Sequence, residues 1–205
     1  MGIFVTFEGV EGSGKSYQAK AFYNKLTKLA IPAVLTHEPG GTAAGERITR
    51  LLKWGKEANL SPLTELMLFN ASRTQLITDI IKPGLENGNV VICDRFTDST
   101  LAYQGYGRGL DPALIKQMNN IASQEIKPDV TILLDIPSEE GLARKDAAKP
   151  DRFHQENMAF HKKVRNGFLQ LVAAEPERWV VIDGRLSKSI IASIIWEKVI
   201  DYLAS

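Results

Sequence analysis

The segment 9–16 restricts the possible folds more than any other feature of this chain. It reads Gly-Val-Glu-Gly-Ser-Gly-Lys-Ser and matches the phosphate-binding pattern G-x-x-x-x-G-K-[S/T] at every fixed position. An apolar run at residues 3–7 precedes it, and a helical pattern of apolar residues at 16–29 follows it. A strand, a glycine-rich loop and a helix in this order predict a loop whose backbone N–H groups surround phosphate oxygens.

Each residue of this loop is predicted to take part in binding ATP. The predicted ATP-binding residues are Gly9, Val10, Glu11, Gly12, Ser13, Gly14, Lys15 and Ser16. Glycine permits the backbone conformations that turn successive N–H groups toward one centre. Lys15 is expected to reach the β- and γ-phosphates, and the hydroxyl of Ser16 to coordinate Mg²⁺. The pattern therefore predicts Mg²⁺ as a cofactor together with ATP.

Short runs typical of strands alternate with longer helical patterns along the chain. Strands are predicted at 3–7, 33–36, 90–93, 130–134 and 179–182. Helices are predicted at 16–29, 63–85, 114–124, 157–173 and 188–203. This alternation predicts an α/β fold of three layers, in which an about five-stranded parallel sheet has helices on both faces. We expect residues 1–205 to form a single domain.

Composition indicates which partners and which compartment to expect. Lys and Arg number 25 against 24 Asp and Glu, so the net charge of +1 gives no reason to expect nucleic acid or an acidic membrane as a partner. The single cysteine, Cys93, has no second thiol to pair with, which is typical of a reducing cytosol. No leader or membrane-spanning run is recognisable, so we expect a cytoplasmic protein.

Two classes of nucleotide-binding protein compete at this point: a kinase for a small phosphate acceptor, and a switch or motor that only hydrolyses. The chain lacks the Asn-Lys-x-Asp sequence that a guanine-dependent switch would need. Its strand-end acids read Asp94-Arg95 and Asp135-Ile136, without the glutamate that usually follows in a motor. An arginine after Asp94 favours phosphoryl transfer, because its planar fork can hold oxygens of two anions.

Five segments together resemble the bacterial thymidylate kinases in order and spacing. They are Phe-Glu-Gly-Val-Glu-Gly-Ser-Gly-Lys-Ser at 7–16, Glu-Pro-Gly-Gly-Thr at 38–42, Asp-Arg-Phe at 94–96, Ala-Tyr-Gln-Gly at 102–105 and Asp-Arg-Phe at 151–153. The resemblance extends over essentially the whole chain. It implies a nucleoside monophosphate kinase with a P-loop that transfers the γ-phosphoryl of ATP to dTMP, giving dTDP and ADP for dTTP synthesis. It also implies a homodimer.

The resemblance implies a set of residues that bind dTMP: Glu11, Glu38, Phe69, Arg73, Arg95, Ser99, Tyr103 and Gln104. Phe69 would stack on thymine, and Arg73, one helical turn later, would donate to a thymine carbonyl. Tyr103 would occupy the space of a ribose 2′-hydroxyl and so select deoxyribose. Ser99 and Gln104 would contact the base and the sugar.

The catalytic residues that the resemblance implies are Lys15, Asp94, Arg95 and Arg144. Arg95 would hold the dTMP phosphate, and Asp94 would help Ser16 to hold Mg²⁺. The charged segment at about 141–152 matches the lid that closes over ATP, and Arg144 is our choice for the cation that binds ATP from the lid and stabilises the transition state.

Other residues of the lid segment leave alternatives open. Lys145 and Lys149 are alternative lid cations. Arg152 could instead pair with the neighbouring acids Asp151 or Glu156.

Several positions depart from the pattern of the family. His37 and Thr49 stand where relatives usually have arginine, with Arg47 and Arg50 nearby as possible substitutes. His154 replaces a frequent glutamate, and the lid is one residue shorter. The resemblance further implies a cis peptide bond between Glu38 and Pro39. A kinase for another nucleoside monophosphate, and a non-catalytic nucleotide-binding regulator, are the alternative functions.

Overall fold

Five parallel strands form the sheet in the computed structural model, which describes residues 2–54, 59–144 and 151–203. They are β1 (Ile3–Glu8), β2 (Ala33–His37), β3 (Val90–Asp94), β4 (Val130–Asp135) and β5 (Trp179–Asp183), in the spatial order β2-β3-β1-β4-β5. The predicted strands are all present, and each extends one residue further at its carboxyl end than the pattern indicated. The predicted fold class is confirmed.

Helices connect these strands. They are α1 (Lys15–Lys28), α2 (Ala43–Trp54), α3 (Pro62–Leu76), α4 (Lys82–Glu86), α5 (Thr97–Thr100), α6 (Pro112–Ser123), α7 (Ser138–Arg144), α8 (Met158–Ala174) and α9 (Lys188–Leu203). A π-helical segment, Ile77–Ile81, joins α3 to α4, another, Leu101–Gly107, continues α5, and a 3₁₀ turn, Pro176–Arg178, precedes β5. No helix in the described ranges is long and apolar enough to cross a membrane.

The starts of three predicted helices are explained by capping side chains. Ser61 accepts a hydrogen bond from the backbone of Thr64 at the start of α3, Asp111 caps α6, and Asn157 caps α8. The sequence patterns did not predict α2, α5 with its π-helical extension, or α7. At the start of α2 the hydroxyl of Thr42 accepts from the backbone N–H of Gly45 at 3.0 Å, which is the capping signal that the apolar periodicity did not reveal.

Alternate residues of the central strands supply the two cores that lie on opposite faces of the sheet. From β1, Val5 and Phe7 enter the cluster that packs on α1 and α9, whereas Phe4 enters the cluster beneath α3 and α4. In β3, Ile92 and Cys93 divide between the same two clusters. Because both faces are covered, these strands read as continuous apolar runs.

The carboxyl ends of the central strands meet at one edge of the sheet. Strand β1 pairs with β3 on one side and with β4 on the other, so the order of connection reverses at β1. Ligands of open α/β sheets bind at such a reversal. The loop at 9–14 and the segment beginning at Arg95 both leave the sheet at this point, which positions the site described next.

Candidate active site

The loop between β1 and α1 has the backbone geometry of a phosphate-binding cradle. Gly14 precedes α1 with a φ of 96°, in the left-handed region that glycine adopts without strain. It supplies no side chain to cap the helix, so the first N–H groups of α1 remain available to an anion. The ammonium of Lys15 donates to the carbonyl of Val10 at 3.0 Å and lies across the loop. This backbone arrangement is the one that the pattern at 9–16 predicts.

A second glycine of the loop permits a close contact with α7. Gly12 has a φ of 71°, and a Cβ atom added to it would collide with the carbonyl oxygen of Gly141. A Cβ atom on Gly141 would in turn collide with the carbonyl of Glu11. The helix that leads into the predicted lid thus rests directly on the phosphate-binding loop, since neither position has a side chain.

Burial changes the acid–base behaviour of Lys15. Only 6% of this residue is exposed. Desolvation, and then the charge of Arg95, lower the pKa of its ammonium to about 8, although Glu11 and Asp94 oppose the shift. Lys15 is therefore charged at neutral pH but loses its proton in mildly alkaline solution.

This lowered pKa predicts a pH dependence of ATP binding. Below pH 8 the ammonium is charged before and after ATP binds, so the Kd of ATP does not change with its ionisation. Above pH 8, ATP binding must be accompanied by the uptake of a proton, and the Kd of ATP is expected to rise by up to about tenfold per pH unit. Isothermal titration calorimetry in buffers of different ionisation enthalpy measures both effects. Lys15→Arg, which stays charged, should bind ATP with no such pH dependence; absence of proton uptake in the unmodified protein would contradict the prediction.

Arg95 joins the phosphate-binding loop to the rest of the site. Its Nη1 donates to the carbonyl of Gly9 and to the hydroxyl of Ser99, each at 3.0 Å, and its Nη2 donates to Glu11 at 2.8 Å and to Tyr103 at 3.1 Å. The backbone φ of Arg95 is 72°, which is uncommon for a residue with a side chain and is found at functional sites. The guanidinium is thereby aimed back over the loop.

Glu8 holds the backbone that carries Arg95, a role that the sequence analysis did not assign. Its fully buried carboxylate accepts from the backbone N–H of Phe96 at 2.8 Å, and from the backbone and hydroxyl of Ser99 at 3.2 and 2.6 Å. Burial and then the nearby Asp98 carboxylate raise the pKa of Glu8 to about 7. A carboxylate in the last position of a buried strand was the signal that could have revealed it.

A pocket of about 480 Å³, partly open to solvent, lies beside Arg95. Every residue that was predicted to bind dTMP lines it: Glu11, Glu38, Phe69, Arg73, Arg95, Ser99, Tyr103 and Gln104. These residues come from the phosphate-binding loop, from the end of β2, from α3 and from the segment after β3. The structure therefore brings the predicted acceptor residues together.

Further lining residues had no predicted role. Phe153 lies 5.9 Å from Phe69 and 6.0 Å from Tyr103 between ring centroids, and with Phe96 these residues give the pocket four aromatic rings. Lys53 adds a cation from the end of α2, and Asp151 and Pro39 also line it. Phe153 belongs to the segment 151–153, which contributed only to the family resemblance. Lys53 lies on α2, a helix that the sequence patterns did not predict.

Arg73 is buried within a dense polar network. Its Nε donates to Glu38 at 3.0 Å, its Nη1 to Asn70 and Asn119 at 3.3 and 2.7 Å, and its Nη2 to Glu38 and Thr100 at 2.5 and 2.8 Å. All five N–H groups of the guanidinium thus have acceptors. The network fixes α3 against β2 and α6, and it holds the Glu38 carboxylate at the pocket wall. The peptide bond between Glu38 and Pro39 is cis, as expected.

Two residues fit the requirements of a Mg²⁺ site at the loop. Asp94 ends β3, and its Oδ1 is buried with no hydrogen-bond partner among the described residues. Ser16 lies in the first turn of α1 with its side chain exposed. Within the described ranges, no group of three His, Cys, Asp or Glu residues could hold a metal by itself. This combination suits Mg²⁺, which in such sites takes one or two carboxylates and completes its shell with phosphates and water.

The structure describes the predicted lid, at about 141–152, only at its two ends. Arg144 closes α7, and its Nη1 donates to the carbonyl of Gly184 at 2.7 Å. The alternative cations Lys145 and Lys149, and Asp146, lie outside the described residues. Arg152 pairs with Glu65 at 2.5 Å, a residue 87 positions away, whereas Glu156 pairs with Arg108 at 2.6 Å.

The positions that depart from the family pattern are placed around the pocket rather than in its lining. His37 contacts Glu46 at 3.1 Å, and the hydroxyl of Thr49 donates to the carbonyl of Gly45 within its own helix. Lys53, one turn after Thr49 on α2, lines the pocket instead. His154 donates its backbone N–H to Asp151, and its Nδ1 is buried without a hydrogen-bond partner in the described part of the chain.

The fold and the site together define a P-loop kinase: a phosphate-binding loop at the reversal point of a parallel sheet, joined by one arginine to a second, aromatic-lined pocket. The family model for thymidylate kinase matches residues 7–195. The chain belongs to the thymidylate kinase family, whose members are ATP-dependent nucleotide kinases.

Individual relatives are similar over nearly the whole chain. A thymidylate kinase of Dehalococcoides mccartyi (strain CBDB1) is 56% identical over 199 residues, which cover 97% of this chain and 96% of the relative. One from Geobacter sp. (strain M21) is 45% identical over 191 residues, covering 90% and 85% of the two chains. The crystal structure of thymidylate kinase from Ehrlichia chaffeensis aligns with a TM-score of 0.80 at 35% identity, over 97% of this chain and 98% of the other.

Proposed function

We propose that this chain transfers the γ-phosphoryl of ATP to dTMP, giving dTDP and ADP, and so serves dTTP synthesis for DNA replication. The observation that carries the proposal is the position of Arg95. Its guanidinium contacts Gly9 and Glu11 of the phosphate-binding loop on one side, and Ser99 and Tyr103 of the pocket on the other. One cation therefore lies between the donor site and the acceptor site, as a reaction between two bound anions requires.

The acceptor base is proposed to enter between the aromatic side chains of the pocket. Phe69 would stack on the thymine ring, with Phe153 and Tyr103 closing the neighbouring walls. For Arg73 to donate to a thymine carbonyl, one of its present hydrogen bonds must be shared or exchanged when the base binds. Burial raises the pKa of Tyr103, so its neutral hydroxyl donates to Glu11 at 3.2 Å and stays at the position assigned to the sugar.

The chemistry needs alignment and charge neutralisation rather than a base. The second pKa of a phosphate monoester is near 6, so the acceptor phosphate is largely dianionic at neutral pH. One of its oxygens forms a bond to the γ-phosphorus of ATP while the bond from that phosphorus to the β-phosphate oxygen breaks, and ADP leaves. Lys15 and the N–H groups of the loop would stabilise the donor phosphates, and Arg95 would hold the acceptor phosphate in line with them.

Ser16 and Asp94 are the residues proposed to hold Mg²⁺. The Oδ1 of Asp94, which has no hydrogen-bond partner among the described residues, would supply a carboxylate oxygen directly or through water, and the Ser16 hydroxyl would supply a neutral oxygen. When bound, Mg²⁺ neutralises charge that develops on the phosphate oxygens.

The lid, at about 141–152, is proposed to close over ATP and to exclude water. Arg144 is the residue assigned to the transition state, with Lys145 and Lys149 as alternatives. In the structure, Arg144 donates to Gly184, so the proposal requires its side chain to leave this carbonyl when ATP binds. Residues 1–205 would act as one P-loop kinase domain with this lid.

We further propose that the chain works in the cytoplasm as a homodimer. Helices α3 and α6 pack against each other, and both carry exposed apolar side chains, Leu63 and Met67 on α3 and Leu114 and Ile121 on α6. Such exposed apolar groups on adjoining helices support an interface with a second copy. The single cysteine, Cys93, is buried, which suits a reducing compartment.

The test of the proposed function is a panel of acceptors in a coupled assay of ADP release. With Mg²⁺ and ATP, dTMP should be phosphorylated with a kcat/KM at least about a hundredfold above those of AMP, CMP and GMP, because the pocket offers a stacking surface and leaves Tyr103 where a 2′-hydroxyl would lie. A reaction without an acceptor measures hydrolysis. AMP as the best acceptor would indicate another nucleoside monophosphate kinase, and nucleotide binding without transfer would indicate a regulator.

A further inference from the structure

Glu65 is a buried carboxylate on α3 that the proposed reaction does not use. Only 1% of the residue is exposed, yet it accepts hydrogen bonds from three side chains. Its Oε1 accepts from Nε2 of Gln104 at 2.7 Å and from Nε of Arg108 at 3.2 Å. Its Oε2 accepts from Nη2 of Arg108 at 3.3 Å and from Nη2 of Arg152 at 2.5 Å. One side chain thus connects α3, the segment after β3 and the residues that follow the lid.

The two arginines make both oxygens of this carboxylate acceptors. A guanidinium group has only N–H donors and no acceptor, so the oxygens of Glu65 accept from Arg108 and Arg152. Oε1, which accepts from Arg108, is also the atom that faces Gln104. Whatever approaches Glu65 must therefore present an N–H or O–H group.

This requirement fixes the orientation of the Gln104 side chain. A glutamine amide can turn over and exchange its NH₂ group with its carbonyl oxygen, and its hydrogen-bond partners decide between the two arrangements. With an obligate acceptor at 2.7 Å, Gln104 must direct its NH₂ group toward Glu65. Its carbonyl oxygen, Oε1, makes no hydrogen bond to any described residue, and Gln104 lines the acceptor pocket. The amide therefore offers its carbonyl oxygen to a ligand, while an N–H of its NH₂ group is held by Glu65.

We propose that Glu65 is a positioning residue that selects the acceptor base by holding Gln104 in this orientation. The inference rests on the proposed function and deepens it. Thymine and uracil carry an N–H group at ring nitrogen N3, which matches the carbonyl oxygen of Gln104. Cytosine has an unprotonated nitrogen at N3, so two acceptors would face each other, and a polar group left unpaired in a closed site costs much of the binding energy. Glu65 thus excludes cytosine without touching the base.

The main test compares the binding and phosphorylation of dTMP, dUMP and dCMP by Glu65→Gln. A glutamine at this position can donate as well as accept, so the amide of Gln104 is free to turn over. We expect the Kd and KM of dTMP and dUMP to rise about tenfold, with dCMP binding unchanged or tighter. The kcat for dTMP should stay within about threefold, because the hydrogen bonds of Glu65 lead to Gln104, Arg108 and Arg152 rather than to the phosphate-binding loop. The ratio of the Kd of dTMP to that of dUMP should not change, since both bases carry the N3–H group.

Glu156→Gln is the matched control. Glu156 also pairs with Arg108, at 2.6 Å, but its ion pair does not involve Gln104. Its substitution removes a carboxylate from the same cluster, and the preference for dTMP over dCMP should remain that of the unmodified protein. An equal loss of preference in Glu156→Gln would mean that the charge of the cluster matters, rather than the orientation of one amide, and would overturn the proposal.

A double variant tests whether Glu65 acts through Gln104. In a Gln104→Ala background there is no amide to orient, so adding Glu65→Gln should change the Kd of dTMP by less than about twofold. A full effect in that background would refute the proposal. Should Glu65→Gln fail to fold, Glu65→Asp is the substitute, because it keeps the charge for both arginines but shortens the reach to Gln104. An unaltered preference for dTMP over dCMP in Glu65→Asp would refute the proposal. If the unmodified protein does not phosphorylate dTMP, the proposed function fails first.

Discussion

Replacement of Lys15 by alanine is expected to lower kcat by about a thousandfold or more while the protein remains folded. The ammonium lies across the phosphate-binding loop and contacts Val10, where it would neutralise the β- and γ-phosphates as charge develops in the transition state. The coupled assay of ADP release with dTMP measures the loss, and circular dichroism during heating checks that the variant is folded.

Lys20→Ala is the matched control for this experiment. Lys20 lies on the same helix with an exposed side chain, so its removal should leave turnover near that of the unmodified protein. Turnover in Lys15→Ala within a few fold of the control would remove the central claim that the loop binds the phosphates of ATP for transfer. A loss in both variants would instead indicate damage to α1.

Arg95→Ala is expected to lower kcat and to raise the KM for dTMP, with a combined loss of about 10³ or more in kcat/KM. The guanidinium connects Gly9 and Glu11 of the loop to Ser99 and Tyr103 of the pocket, so it would contact the acceptor phosphate both in the ground state and in the transition state. Steady-state kinetics with dTMP varied at saturating ATP separates the two effects.

Arg95→Lys distinguishes charge from geometry at the same position. Lysine keeps the positive charge but cannot form the four simultaneous contacts of the arginine fork, so we expect it to recover only a small part of the lost rate. An Arg95→Lys variant as active as the unmodified protein would show that a point charge suffices. A change confined to the KM for ATP would place Arg95 on the donor instead and contradict the assignment.

Local patterns predicted the strands and the phosphate-binding loop well for a physical reason. The central strands β1, β3 and β4 are buried on both faces, so nearly every residue in them must be apolar, and the runs stand out from their surroundings. Helix α2 was missed although Ile48, Leu51 and Leu52 lie at helical spacing in it and Thr42 caps its start, so local signals for it were present. The π-helical segment Leu101–Gly107 was missed because no simple period describes it.

The pocket could be assembled from the sequence only with the help of the family resemblance. Phe69 and Arg73 share one helix face, and spacing alone predicts that much. Neither spacing nor composition indicates that this face meets Glu38, the residue after β2, or that Phe153 lines the same pocket. The same limit explains why the pairing of Arg152 was left open between near neighbours, when its partner in the structure is Glu65.

The sequence by itself determined the phosphate-binding loop, because all of its groups lie in one continuous segment, 9–16, whose glycines set the backbone conformation locally. Tertiary structure decided how the neighbouring pocket is built. The contact of Glu8 with Ser99 joins positions 91 residues apart, and that of Gln104 with Glu65 joins positions 39 apart. Such contacts depend on the burial that the completed sheet provides, since only there does a carboxylate without water have to find these donors.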